Sequence, residues 1–371
     1  MTLKEIFCQD RVISILQRAY ASGKVPHAYI FAGQDGVGKF TTAREFGRLL
    51  LCKNPVVENG FADSCGACES CGAIEGGAHP DFNHVRKELL EFTREGKSRA
   101  APVEMPIDVI REFLIEKVST RPTLSARKVF VIGEAEKLNI ESQNCLLKTL
   151  EEPPAYCCII LLCTRLEDLL PTTKSRCQIV RFSTITEEKI IGKLKESGVG
   201  EGQAGFFARL AEGSIGQACR WAELETAGAN LYETKTEVIN SLAEFEYADA
   251  VDLASRFVEK AGKIASVWAK IEPNTSKSDI NRQGQKTIIR IIISALNDAM
   301  KLTLGEAEKI VNSDQREQIK RLAERFDCEH CAEGIGDAYE SMQWIDSAVN
   351  ERLIFEHLLL NLVVSDRIHN L

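Results

Sequence analysis

No apolar run in this 371-residue chain approaches the roughly 20 residues that a membrane-spanning helix needs. The longest, Cys157–Cys163 and Leu358–Val364, stop well short. The start of the chain also lacks the apolar stretch of a secretion signal, since Lys4, Glu5 and Asp10 follow Met1 closely. Together these absences predict a cytoplasmic protein, a compartment in which thiols stay reduced. The thirteen cysteines are then expected to be metal ligands or buried apolar filler, and not disulfides. Internal repeats and low-complexity tracts are missing too, which excludes a solenoid. At 44% apolar and 27% charged residues, the length fits two or three domains with their own cores. An excess of positive charge is absent as well: the net charge is −8. Residues 1–180 carry 23 basic and 23 acidic side chains, so the whole excess of negative charge follows them. Any contact with nucleic acid is therefore favoured at the neutral first half and opposed by the second.

The order of patterns along the chain predicts an α/β region followed by an all-α region. Asp10–Tyr20 has helical spacing and is followed by Gly23. Ala28–Ala32 is a compact apolar run that leads through a glycine loop into a helical pattern, Thr41–Leu51. A polar, cysteine-bearing insertion fills Cys52–His79, and a charged surface loop is expected around Glu91–Pro102. Lys128–Ile132 and Cys157–Cys163 are too short for helices, and Asn144–Leu150 is helical between them. Such alternation predicts a parallel sheet covered on both faces. Strand signals stop after about Phe182. Glu187–Ser197 and Gly205–Ala211 suggest a small helical module. From about Ala227 only helical periodicity remains, in Ala248–Val258, Thr287–Leu302, Asp314–Phe326 and Leu353–Val364, with a polar loop expected over Glu272–Gln285.

The segment Gly33-Gln34-Asp35-Gly36-Val37-Gly38-Lys39-Phe40-Thr41 has the pattern of a phosphate loop, after a strand and before a helix. Gly36 and Gly38 would let backbone N–H groups face phosphate oxygens, and Lys39 would reach the outer phosphates. The hydroxyl that should follow the lysine and bind Mg²⁺ is replaced by Phe40. Thr41 comes one residue late, about 100° around the helix. The acidic strand end that a nucleotide engine needs is also altered, because Val129–Ile132 runs into Gly133 and Glu134 instead of Asp-Glu. Two losses at matched chemical roles argue against intrinsic hydrolysis and against Mg²⁺. For the loop itself two readings stand, a fold-keeping turn or a weak ATP site.

Cys65, Cys68 and Cys71 are spaced by two residues, and Cys52 closes the preceding helix. Four thiolates suit a closed, structural tetrahedral Zn²⁺ site, with packed or redox-active thiols as the alternative. Cys328 and Cys331 have metal spacing, with His330 between them, but no matching second pair, which favours an accidental arrangement over a second metal site. Cys145, Cys157, Cys158 and Cys163 fall in apolar runs and are expected in the core.

Taken together, these motifs resemble the clamp-loader AAA+ subunits of bacterial DNA polymerase III, and within them the delta-prime branch. The resemblance rests on His27–Phe31, the cysteine module, His79-Pro80-Asp81, the run Leu146-Leu147-Lys148-Thr149-Leu150-Glu151-Glu152-Pro153-Pro154, Ser175-Arg176-Cys177 and the closing segment Asn350–Leu360. It is strong over about Ile6–Phe182 and weaker beyond.

What the resemblance implies is a RecA-like AAA+ domain over 1–182 with a zinc module at about 52–79, a helical lid over 183–226 and a helical collar domain over 227–371. It implies that Arg176 acts in trans as an arginine finger toward ATP held by a neighbouring subunit. Thr164 falls at the sensor position, and Gly33, Gly36, Gly38, Lys39, Thr41 and Glu134 form the degenerate nucleotide site. Ile215 and Gly216 stand where ATP-hydrolysing relatives carry a second sensor arginine. The implied partners are the gamma/tau and delta subunits in a hetero-pentamer, with the sliding clamp and primed DNA reached through that complex. The chain would serve a DNA-directed DNA polymerase without catalysis of its own. Two rivals are an active gamma/tau-type ATPase, disfavoured by Phe40 and Gly133, and a free-standing zinc-dependent nucleic-acid module, which lacks the basic surface.

Overall fold

The computed structural model describes residues 2–94, 102–273, 275–347 and 349–368. They form two compact units, Met1–Ile185 with Ser214–Gly216, and Thr186–Gly213 with Gln217–Leu371. All thirteen cysteines are free. No helix among the described residues is long and apolar enough to cross a membrane.

The first unit is built on a five-stranded parallel sheet. Its strands are β1 (Ala28–Ala32), β4 (Phe82–Val85), β5 (Lys128–Ile132), β6 (Cys157–Cys163) and β7 (Gln178–Arg181). The two short strands β2 (Val56–Glu58) and β3 (Phe61–Asp63) pair separately as an antiparallel hairpin. The sheet order is β4-β5-β6-β1-β7, so the first strand of the chain lies between the last two. Strands β1, β5 and β6 are buried along their whole length, as strands covered on both faces must be. Alternation sends Tyr29, Phe31, Val129, Val131, Cys158 and Ile160 into one core, where they meet Leu16, Phe46 and Leu49. Ala28, Ile30, Phe130, Ile132, Ile159 and Leu161 enter the other core, with Val109, Leu114, Leu146 and Leu150. Each fully buried apolar side chain of this size stabilises the fold by about 1.5–3 kcal/mol.

The sequence reading identifies β1, β5 and β6 with their observed bounds but not the edge strands β4 and β7. It also omits the hairpin and the helix Glu69–Glu75 within the cysteine insertion, and the helical segment Ile107–Val118. Most of the expected charged loop, residues 95–101, lies outside the described residues. Cys157, Cys158 and Cys163 are buried as expected, whereas Cys145 is only half-buried.

The second unit is helical throughout, including Glu187–Glu196, Glu201–Leu210, Leu231–Glu244, Ala250–Ile271, Lys277–Thr303, Arg316–Arg325, Cys328–Asp346 and Glu351–Ile368. The polar loop expected over Glu272–Gln285 is a correction: the helix starts at Lys277, capped by the Ser276 side chain accepting from the Asp279 N–H. Its polar first turns hid a packing position, since a Cβ on Gly284 would lie 2.5 Å from the carbonyl oxygen of Ala261. Close approach to the helix Ala250–Ile271 therefore requires glycine there. Cys328 and Cys331 open the helix Cys328–Asp346 under an Asp327 cap. His330 between them is buried and bonded to the carbonyl of Leu362 at 2.9 Å, a structural contact.

Candidate functional site

The phosphate loop joins β1 to the helix Lys39–Leu51. Gly36 and Gly38 have φ of 74° and 97°, the left-handed region that favours glycine. Lys39 is buried, and its Nζ donates to the carbonyls of Gly33 at 2.6 Å and Gln34 at 2.7 Å. Burial lowers its pKa, opposed by Asp35 and Glu136. The Gly216 N–H donates to the Gly36 carbonyl at 2.8 Å, and a Cβ on Gly216 would lie 2.8 Å from the Gly36 Cα. Here two backbones touch at the position where the resemblance places a sensor arginine in hydrolysing relatives. Gly33 has a packing role, because a Cβ there would lie 2.9 Å from the Phe182 Cβ. Thr41 lies in the first helical turn, and the hydroxyl of its neighbour Thr42 donates back to the Gly38 carbonyl at 2.8 Å.

Phe40, standing where a metal-binding hydroxyl is expected, stacks on the imidazole of His84 with ring centroids 4.5 Å apart. His84 comes from β4, and its Nε2 lies 3.4 Å from where a Gly133 Cβ would be. Burial, aided by Arg86, pushes the His84 pKa down to about 4, so the ring is neutral at pH 7. Residues from three elements thus converge as an aromatic, uncharged cluster in place of a carboxylate and a hydroxyl. Glu134 has a left-handed backbone (φ 48°) and pairs with Lys87 at 3.3 Å and Lys137 at 2.5 Å. The Thr164 hydroxyl donates to Glu136 at 2.5 Å. His84 and Glu136 are site residues that sequence reasoning missed; neither stands in a motif, and only strand pairing and the turn after β5 bring them in.

Arg176 follows the short helix Pro171–Lys174. Its guanidinium donates to the Thr172 carbonyl at 2.8 Å and to Glu151 at 2.5 Å. Glu151 ends the helix Ile140–Glu151, within the run that carries the resemblance.

The four cysteines converge. Their sulfurs all lie within 4.8 Å of one another, the single such metal-capable group among the described residues. Cys52–Cys65, Cys52–Cys68 and Cys65–Cys71 are separated by 3.5, 3.9 and 4.0 Å. A tetrahedral ion about 2.3 Å from each sulfur would set them about 3.8 Å apart, so the donor set fits a metal without rearrangement. The Cys65 N–H points at the Cys52 sulfur at 3.3 Å, and the Cys68 N–H at the Cys65 sulfur at 3.4 Å. Such bonds favour thiolate. Burial alone raises the Cys68 pKa, but N–H donors from Cys71 and Lys53 and the neighbouring thiols outweigh it and bring it to about 6. Burial pushes Cys52 up to about 12; with four thiols this close, charge on one discourages charge on the next until a cation is supplied.

The cysteine module is pinned to the sheet by His79-Pro80-Asp81. The fully buried Asp81 carboxylate accepts N–H bonds from Thr123, Leu124 and Ser125 at 2.7, 2.8 and 2.9 Å. Although burial opposes ionisation, those three donors hold the Asp81 pKa below the usual carboxylate range. Ser70 and Ser125 donate to the Leu51 carbonyl at 2.7 and 2.9 Å, and Ser70 also bonds His79 at 2.8 Å.

Comparison with known proteins agrees with this geometry. The sequence matches the family described as DNA polymerase III, delta subunit, over residues 8–186, and the corresponding C-terminal family over residues 269–363. It is 24% identical to the DNA polymerase III subunit delta' of Bacillus subtilis, across 95% of this chain and 96% of that one. Over 151 residues it is 34% identical to delta' of Pseudomonas aeruginosa, 41% of each chain. It is 30% identical to subunit tau of B. subtilis over 221 residues, 58% of this chain and 36% of that one. The chain thus spans little more than a third of the length of that tau relative. With family matches over residues 8–186 and 269–363 and a delta' relative aligned along 95% of it, the chain belongs to the clamp-loader subunits of DNA polymerase III.

Proposed function

We propose that this chain is a delta-prime-type subunit of the replicative clamp loader: a non-hydrolysing AAA+ stator that presents Arg176 to ATP on a neighbouring gamma/tau-type subunit. The observation that carries the first half is the Phe40–His84 stack beside Gly133. Hydrolysis needs a cation held between a hydroxyl and a carboxylate and a base to position water. This chain offers a neutral imidazole, a phenyl ring and no side chain at those points, and its adjacent Glu134 is held by two lysines. Lys39 is engaged by loop carbonyls, which supports a fold-keeping role for the loop over productive ATP binding.

The second half rests on the Ser175-Arg176-Cys177 motif and on the partial exposure of its guanidinium. At 32% exposed, Arg176 is accessible, and its partner Glu151 is 48% exposed. Ion pairs this open are worth about 0–1 kcal/mol, so exchange of Glu151 for a phosphate on another chain costs little. In the same reading the four cysteines hold a structural Zn²⁺, residues 183–226 act as lid and residues 227–371 join a pentameric collar with gamma/tau and delta. Sliding clamp and primed DNA are then met through the complex.

The test is ATP turnover. The chain alone should show none above background. In a loader reconstituted with gamma/tau and delta subunits, R176A should assemble normally yet lower clamp- and DNA-dependent turnover. Turnover by the isolated chain that K39A abolishes would mean a gamma/tau-type motor, and unchanged turnover with R176A would remove the arginine-finger role.

A further inference from the structure

A tetrahedral Zn²⁺ held by four thiolates carries a net charge of −2, and burying it requires compensating cations or N–H donors. Two of the ligands, Cys52 and Cys71, are buried. The structure brings one buried cation to that side of the cluster. Arg48 lies one turn before the end of the phosphate-loop helix Lys39–Leu51, whose next residue is Cys52. Its side chain is 4% exposed. One guanidinium nitrogen donates to the carbonyl of Gly66, inside the Cys65–Cys68 turn, at 3.3 Å. The same nitrogen would lie 3.9 Å from a Gly66 Cβ, so the guanidinium sits against the turn that carries Cys65 and Cys68.

Two carboxylates share the same group, Glu45 at 3.6 Å and Glu75 at 3.2 Å. A dedicated charge-assisted pair would close to about 2.7–2.9 Å. Arg48 thus shares its guanidinium among the Gly66 carbonyl and two acids. The next cation along the chain, Lys53, is 40% exposed and pairs at 2.6 Å with Glu69, itself 68% exposed.

We propose that Arg48 is a positioning residue of the metal centre, the internal cation that neutralises the thiolates and ties the C-terminal end of the phosphate-loop helix to the ion. The proposal rests on the reading that the four cysteines hold zinc. It makes the helix that begins at Lys39 and ends at Cys52 a shared element of the phosphate loop and the metal module. Retention of the metal should then depend on a residue that is not a ligand, as outer partners of metal ligands commonly set affinity within about 10–100-fold.

The experiment uses the full chain loaded with zinc, the metal count per chain, and the rate of zinc release to a chromogenic chelator. R48M keeps the apolar stem and removes the charge; it should weaken zinc binding about 10–100-fold. R48K should recover part of that loss. Because R48M removes one of the two cations beside the buried Glu45 and leaves it only Arg44, at 2.9 Å, the double variant E45Q/R48M serves as the folding control. It should melt like the unaltered chain when saturated with zinc and still release zinc as fast as R48M. Cobalt-loaded variants should keep the thiolate-to-metal absorption of a four-sulfur site, since the ligands are unchanged. Release from R48M at the unaltered rate, or full retention in E45Q/R48M, would overturn the role of Arg48. An unaltered chain that holds no zinc would overturn the metal reading instead, so the two failures are distinguishable.

Discussion

Replacing Asp81 tests how the first unit is held together. Asp81 is fully buried, and its two carboxylate oxygens accept three backbone N–H bonds: Thr123 on Oδ1, Leu124 and Ser125 on Oδ2. D81A would leave three donors without that partner, and a buried unsatisfied donor costs about 1–3 kcal/mol, giving roughly 3–6 kcal/mol once partial relaxation is allowed. D81N keeps the shape but turns one oxygen into an NH₂ group that faces other donors. One or two of the bonds are lost, together with the benefit of the charge, for about 2–3 kcal/mol. In a unit of this size that corresponds to a fall in melting temperature of roughly 4–12 °C. The probe has to be chosen with care. All three tryptophans, Trp221, Trp268 and Trp344, lie in the second unit. Their fluorescence reports the wrong transition, so calorimetry should be combined with hydrogen exchange of peptides covering 120–130. The exchange should accelerate at residues 123–125 first. Because the folded pKa is depressed, the contribution of Asp81 is complete above its unfolded value of about 4 and disappears as pH falls through the folded value. D81N with unaltered melting and exchange would refute the view that Asp81 organises this corner.

Two further outcomes follow from other groups. The half-buried His84 is neutral at pH 7, its folded pKa pushed down by desolvation to about 4 from an ordinary value of 6.5. The unfolded chain therefore binds more protons between those values, and stability should fall as pH drops through that window; H84Q should flatten this part of the profile in calorimetry. In the second unit, the fully buried Lys235 pairs with Asp314 at 2.5 Å and lies over the rings of Tyr232 and Phe206 at 4.5 and 5.2 Å. D314A should cost about 2–4 kcal/mol, at the low end because Asp314 is partly exposed, while K235M/D314L should recover most of it. Tryptophan fluorescence melts can read this directly, and equal stability of D314A and the unaltered chain would contradict it.

Legibility from sequence followed burial. Strands covered on both faces announce themselves as unbroken apolar runs, and Ala28–Ala32, Lys128–Ile132 and Cys157–Cys163 were readable with their true bounds. Edge strands carry mixed residues. Phe82-Asn83-His84-Val85 and Gln178-Ile179-Val180-Arg181 show no period that local sequence could separate from loop. The polar opening of the helix Lys277–Thr303 read as a loop because its cap signal, Ser276 with Asp279, was outweighed by Asn281, Arg282, Gln283 and Gln285. Of the four metal-capable cysteines, Cys65, Cys68 and Cys71 were legible from their close spacing and Cys52 from its place at the end of the preceding helix. His84, Glu136, Glu151 and Arg48 were not, because their partners are supplied by tertiary pairing.

The Phe40–His84 stack also bears on reversibility. A serine at position 40 alone would restore the hydroxyl but strip the imidazole of its stacking partner. An aspartate at position 133 alone would set its Cβ 3.4 Å from the His84 Nε2, an ordinary van der Waals contact. The two steps are unequal: position 133 has room for a side chain, whereas a change at position 40 gives up the ring contact with His84.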